Sequence, residues 1–190
     1  MAVTIIIVPG YTNSGPGHWQ SIIERKYQNI IRAEQEDWNN PVSEKWVEGL
    51  QRTIKSVSGN IVLVGHSCGV ITIIQWAQKY QNMNVIGALL VAPADVDSEH
   101  APKEIKVQSP IPTTKLLFKS IMVHSNNDEY LSKARALIFG EHWGSELIEI
   151  KNAGHINTAS GFGEWKFGEK LIEKLSGIPL EIKFDKHLNA

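Results

Sequence analysis

Asn60-Ile61-Val62-Leu63-Val64-Gly65-His66-Ser67-Cys68-Gly69 is the stretch whose reading decides the fold. Its first half is a short apolar run bounded by turn residues, the pattern of a strand buried on both faces. Its second half is a Gly-x-Ser-x-Gly pentapeptide. In a nucleophile elbow the Ser occupies a sharp, strained turn from strand into helix. Glycines two before and two after it let neighbouring backbone pass without a Cβ clash. Downstream, Val70, Ile73, Ile74, Ala77 and Tyr80 recur at helical spacing, so a helix is predicted to follow the Ser directly. The pentapeptide alone is a common accident; between a strand and a helix it marks Ser67 as a candidate nucleophile.

Outward from the elbow, apolar runs alternate with helix-period segments, which implies a parallel sheet covered on both faces. Strands are predicted at Val3–Val8, Ile30–Glu34, Asn60–Val64 and Val85–Ala92, within Lys115–His124, and at Glu146–Lys151. Helices are predicted at His18–Lys26, after Asn40-Pro41, along Val70–Tyr80, near Leu131–Phe139 and over Gly163–Leu175. Asn40-Pro41 reads as an N-cap with Pro at the first helical position, opening a helix with Val42, Trp46, Leu50, Ile54 and Val57 on one face. Pro93–Thr114, with four prolines, reads as a long excursion that could cap a site. The expected architecture is a compact α/β-hydrolase fold over residues 1–176, with about six mostly parallel strands and no large lid. Residues 177–190 form a C-terminal tail in which Leu180–Phe184 is either an edge strand or disordered.

The bulk properties narrow the function classes. The 190 residues suffice for one domain with a proper core. A net charge of −1 from evenly mixed signs argues against a nucleic-acid or anionic-membrane surface. The apolar start runs at once into Pro9-Gly10, too short for a signal peptide or a membrane span. A single Cys cannot form an internal disulfide. A cytoplasmic enzyme is expected.

A Ser hydroxyl needs a general base, itself oriented by a third group. In this architecture the partners follow in the order Ser, acid, His, each beyond the carboxyl end of a strand. The fifth strand runs into Asn126-Asn127-Asp128-Glu129, where Asp128 falls at the turn before the next helix and Glu129 is an alternative. An Asp there could also be a simple helix cap. The sixth strand leads to Asn152-Ala153-Gly154-His155, a small-residue loop able to present His155 as base. Among other histidines, His66 is expected to turn its side chain away from the site in a structural role, and His124 to be a buried partner. The oxyanion hole is expected from the backbone N–H groups of Cys68, at the start of the elbow helix, and Tyr11, after the first strand. Trp19, Trp38 and Trp165 read first as core residues, with Trp38 and His18 alternatively walling an acyl pocket. Asp95 and Asp97 lack partners at ligand-like spacing, so no metal is expected.

With these positions in place, the chain resembles the retinoblastoma-binding protein 9 type of small serine hydrolase, especially its bacterial branch. The matching stretches are Val8-Pro9-Gly10-Tyr11, Gly15-Pro16-Gly17-His18-Trp19-Gln20, Gln35-Glu36-Asp37-Trp38 and the elbow. They continue through Leu90–Val96, Ser125–Tyr130, Ala153–Asn157 and Gly161-Phe162-Gly163, covering nearly everything up to Leu175. The resemblance implies a Ser67-Asp128-His155 triad and demotes Glu129. The family's natural substrates are mostly unknown; the ordered trio itself points to hydrolysis of an ester or similar carbonyl through an acyl-enzyme without a cofactor, and the short Pro93–Thr114 excursion favours a small or easily reached acyl substrate. A Leu-x-Cys-x-Glu motif, one route to retinoblastoma-protein binding, is absent around Cys68, and no protein partner is indicated. Two other readings are compatible with the sequence: a non-catalytic binding module on a hydrolase scaffold, and an acyltransferase or thioesterase.

Overall fold

A computed structural model describes residues 2–183. Six parallel strands form one sheet in the order β2-β1-β3-β4-β5-β6. They are β1 (Val3–Val8), β2 (Ile30–Arg32), β3 (Asn60–His66), β4 (Val85–Val91), β5 (Lys119–Ser125) and β6 (Glu146–Ile150). The central strands are apolar on both sides because each side is covered. Ile6, Val8, Leu63, Leu90 and Met122 face α2 (Ser43–Lys55), α3 (Cys68–Lys79) and α4 (Lys133–Trp143). Ile5, Ile7, Val64, Leu89 and Val123 face α1 (Trp19–Lys26) and α5 (Lys166–Ser176). The two-residue period of the strand thus sorts one sequence into two cores.

The chain leaves β1 toward β2 and returns on the other side of β1 as β3, so a switch point lies between β1 and β3. Loops diverge there and open a crevice at the carboxyl ends of the strands. The loop after β1 and the turn after β3 border it. Gln20, fully buried, spans it from α1: its Nε2 donates to Val64 O at 3.0 Å and Val8 O at 3.4 Å. That side chain satisfies strand-end carbonyls which the ladder no longer reaches.

Several boundaries differ from the sequence reading. Helix α2 starts at Ser43 with Val42 as its cap residue, two residues later than an Asn40 cap would place it. Val42 N–H bonds Asn40 O at 2.8 Å, which closes a turn around Pro41 before the helix begins. Within the Lys115–His124 stretch β5 begins at Lys119, since Leu116 N–H is taken by Trp143 O at the end of α4, and it runs one residue further, to Ser125. α5 starts at Lys166, after Trp165, whose φ of −124° and ψ of 79° are not helical. In the tail, Ile182 forms an isolated antiparallel bridge with Tyr27, and Gln28 N–H bonds Glu181 O at 2.8 Å. That is a short edge pairing; the rest of the expected strand, Phe184, lies outside the described residues. No helix among the described residues is long and apolar enough to cross a membrane.

Candidate active site

Ser67 sits at the β3–α3 junction with φ 55° and ψ −124°. A positive φ on a residue with a side chain is costly, and it persists only where the surroundings enforce it. The glycines of the pentapeptide show how. A Cβ on Gly69 would overlap Val8 O and lie 2.6 Å from Pro9 O, while one on Gly65 would lie 2.7 Å from Ile73 Cδ1. The elbow helix therefore packs against the end of β1 as closely as backbone permits. Gly10 is equally constrained, since a Cβ there would meet Ser67 Cβ at 2.9 Å. That approach holds the Gly10-Tyr11 loop against Ser67.

The crevice is a cleft of about 350 Å³ bordered by Gly10, Tyr11, His18, Ser67, Tyr130 and His155, among others. Among the described residues that line it, none is Asp, Glu, Lys or Arg. The Pro93–Thr114 excursion closes one side with Pro102 and Ile105. It is anchored on the elbow helix through Gln108, whose Nε2 donates to Thr72 Oγ1 at 3.0 Å and Cys68 O at 3.3 Å.

His155 Nδ1 lies 2.9 Å from each carboxylate oxygen of Asp128. The Asp128 side chain is fully buried, and His155 is 6% exposed. Asp128 Oδ1 also accepts from Tyr130 N–H at 2.9 Å, so the acid is fixed by its own turn. Glu129 is exposed and has no part in this contact. Tyr130 packs edge-on against the His155 ring, with centroids 4.6 Å apart. Ser67 and His155 share the cleft, though no hydrogen bond joins their side chains; such bonds often tighten only with substrate bound.

Burial pushes the Cys68 thiol up to about 12; the Tyr11 N–H, the Ser67 side chain and the Cys68 N–H near the sulfur oppose that shift without overcoming it, so the thiol stays buried and neutral.

One sequence expectation about the surroundings changes, and for Trp38 the core reading holds while the pocket alternative does not. His66 does not turn away from the site. Its ring borders the cleft, and its Nε2 donates to His155 O at 2.9 Å. Burial, with His155 and His18 alongside, holds its pKa well below the usual histidine value, so it is a neutral donor. Trp38 is not among the cleft residues. It packs edge-on against Trp46, with centroids 5.6 Å apart, and reaches the site only through its carbonyl, which accepts from Thr12 N–H at 2.9 Å. Its indole is drawn into the α2-side core by a neighbouring Trp that spacing alone could not reveal. His18 does line the cleft, with Nδ1 accepting from Gln20 N–H at 3.2 Å as the cap of α1. His124 is buried as expected, but its Nδ1 has no hydrogen-bond partner among the described residues. Asp95 forms a two-bond ion pair with Arg135 at 2.7 and 3.0 Å.

A six-stranded parallel sheet with a strained Ser between strand and helix, and later strands ending in an acid and a His, defines an α/β hydrolase. The Serine hydrolase family matches residues 5–174, and the chain belongs to that family, the retinoblastoma-binding protein 9-like serine hydrolases. It is similar to a YdeN-like hydrolase from Pectobacterium atrosepticum, with 32% identity, 93% of both chains covered and a TM-score of 0.83. It shares its fold with the ydeN gene product of B. subtilis, at 15% identity over 92% of this chain and 98% of that one, with a TM-score of 0.75. An alpha-beta serine hydrolase homologue from Coxiella burnetii has the same fold at 18% identity, with 92% and 85% covered and a TM-score of 0.61. No curated protein sequence matches the chain. The protein is a hydrolase.

Proposed function

We propose that the protein hydrolyses a small, uncharged carboxylic ester through a covalent acyl-enzyme on Ser67. The observation that carries this reading is the pairing of His155 Nδ1 with both oxygens of buried Asp128, on a cleft shared with the strained Ser67. The carboxylate holds the Nδ1–H tautomer, which leaves Nε2 free to accept a proton. Ser67 Oγ attacks the acyl carbon as His155 Nε2 takes the hydroxyl proton. The carbonyl oxygen becomes an oxyanion that accepts from the N–H groups of Tyr11 and Cys68. Collapse of the tetrahedral intermediate expels the alkoxide, which takes the proton from His155. Water, deprotonated by His155, then attacks the ester carbonyl of the acyl-Ser67. Expulsion of Ser67 Oγ, reprotonated by His155, releases the acid. The uncharged lining and modest volume of the cleft favour a short acyl group without net charge. We place this chemistry in the cytoplasm, consistent with the single, buried Cys.

Labelling by a fluorophosphonate probe tests the reading. The wild type is expected to label, Ser67→Ala not at all, and His155→Ala at least about a thousandfold more slowly. Unchanged labelling in Ser67→Ala overturns it. Absence of labelling in a folded wild type leaves the binding-module reading in its place. A panel of short esters and thioesters, with and without an added alcohol, separates ester hydrolysis from thioester hydrolysis and acyl transfer.

A further inference from the structure

The loop that carries the acid and the loop that carries the base are joined by more than the Asp128–His155 pair. Asn152 N–H donates to Asn126 Oδ1 at 2.7 Å, Ala153 N–H to Ser125 Oγ at 2.9 Å, and Gly154 N–H to Asn127 Oδ1 at 2.8 Å. Ser125 Oγ–H in turn donates to Asn127 Oδ1 at 2.7 Å. Four consecutive residues, Ser125 to Asp128, thus receive donors from four consecutive residues, Asn152 to His155. The last of these contacts is the acid–base pair itself.

The backbone of the second loop is shaped for this. Asn152 has φ 55° and Gly154 φ 52°, flanking Ala153. Left-handed residues at such spacing turn successive N–H groups toward one side, as in a backbone nest. A nest ordinarily collects an anion. Here its occupants are a hydroxyl and two amide oxygens, and the one carboxylate in the row faces the imidazole. The acceptors are also fixed without ambiguity, because each receives an N–H that only an oxygen can accept.

We propose that Ser125, Asn126 and Asn127 are positioning residues that set the place of His155 relative to Asp128, with Asn127 the principal one. This inference rests on the catalytic reading of Ser67, Asp128 and His155. Asn127 Oδ1 holds the amide immediately before His155 and is held by the buried Ser125 hydroxyl, so it links the strand end to the base. Displacing a reacting group by about 1 Å costs on the order of a hundredfold in rate.

Asn127→Ala removes both bonds to Oδ1. Its kcat is expected to fall roughly 10- to 100-fold while KM stays within about threefold. Asn127→Asp keeps the acceptor and, at an exposed position, turns its second oxygen to solvent; it is expected to recover most of kcat. Asn126→Ala, which removes only the outer exposed contact, is expected to fold normally and lose a few-fold in kcat. Ser120→Ala is the control for lost stability: its hydroxyl pairs with Ser145 at 2.8 Å near the start of β5, and its kcat is expected to hold. Exchange of the Ala153 and Gly154 amides with deuterium, read by NMR, needs no turnover. Both are expected to be protected in the wild type and to exchange at least about tenfold faster in Asn127→Ala. Unchanged amide exchange, unchanged kcat in Asn127→Ala, or an equal kcat loss in Ser120→Ala overturns the proposal. Probe labelling that survives Ser67→Ala instead overturns the catalytic reading, while amide exchange still decides the clasp.

Discussion

Acidification destabilises this fold through His18, and His18→Asn removes that loss. The imidazole is 6% exposed, and burial, aided by the nearby Arg32 and His155, pushes its pKa down from 6.5 to about 4. Between pH 6.5 and about 4 the unfolded chain binds a proton at His18 that the native protein refuses. Stability is therefore full above this window and falls as the pH drops through it. Linkage with these two pKa values gives a loss of about 2 kcal/mol between about pH 7 and about pH 5 from this residue alone. His66, also held below its ordinary range by burial, acts in the same direction in both proteins. Asn keeps a side-chain oxygen for the Gln20 N–H that His18 Nδ1 now accepts, and it is a preferred helix cap that does not titrate. Urea unfolding followed by Trp fluorescence at the two pH values supplies the measurement. The comparison is a double difference, so carboxylate titrations shared by both proteins cancel, as does any cavity cost of the smaller side chain. The wild type is expected to lose about 2 kcal/mol more than His18→Asn. Equal losses would refute the burial argument for His18.

Two further outcomes follow from the elbow. Gly69→Ala places a Cβ onto Val8 O and within 2.6 Å of Pro9 O, so thermal unfolding is expected to show a loss of about 3 kcal/mol or more; a loss below about 1 kcal/mol contradicts the close packing of α3 on β1. Cys68 is fully buried with its thiol pushed up to about 12, so intact-mass analysis of the native protein after iodoacetamide at mildly alkaline pH is expected to show no adduct. Rapid alkylation of the folded protein would reopen Cys68 as a nucleophile.

The legible parts of this sequence are those whose physics is local. Asn60–Gly69 reads as strand, elbow and helix because sheet burial on both faces, the backbone contact at Gly69 and the helical spacing after Ser67 all act within a few residues. Asp128 and His155 are legible because chain order ties each to a strand end. Side-chain destinations set by distant elements are not. Trp38 finds Trp46, Gln108 finds α3, and Tyr130 finds the His155 ring, none through a periodicity. His66 illustrates the limit best: its place before Ser67 predicts a side chain turned away, yet its ring borders the cleft and meets the His155 loop, an encounter fixed 89 positions later in the chain. Asn40-Pro41 fails for a different reason. A cap motif states a preference, and the turn closed by Val42 N–H overrides it.

The site divides its functions according to where strain can be supported. Ser67 and the amides of Tyr11 and Cys68 come from the centre of the sheet, where β1 and β3 are packed without room for a Cβ and the positive φ of Ser67 is enforced from both sides. Asp128 and His155 come from loops beyond β5 and β6, toward the sheet edge. There hydrogen bonds act beside the close packing of Gly154 against Ser160. Trp19 Nε1–H holds Ile156 O at 3.0 Å, His66 holds His155 O, Ser160 Oγ accepts from His155 N–H at 3.2 Å, and the Ser125–Asn127 row takes the three amides before it. In the proposed reaction His155 moves a proton twice per turnover, which needs a fixed backbone with a ring free at one nitrogen. Every one of these contacts falls on the loop's main chain or on its neighbours, and among the described residues only Asp128 hydrogen-bonds the His155 ring. On that proposal, polar substitutions that loosen this loop are expected to lower kcat without changing which substrate the cleft accepts.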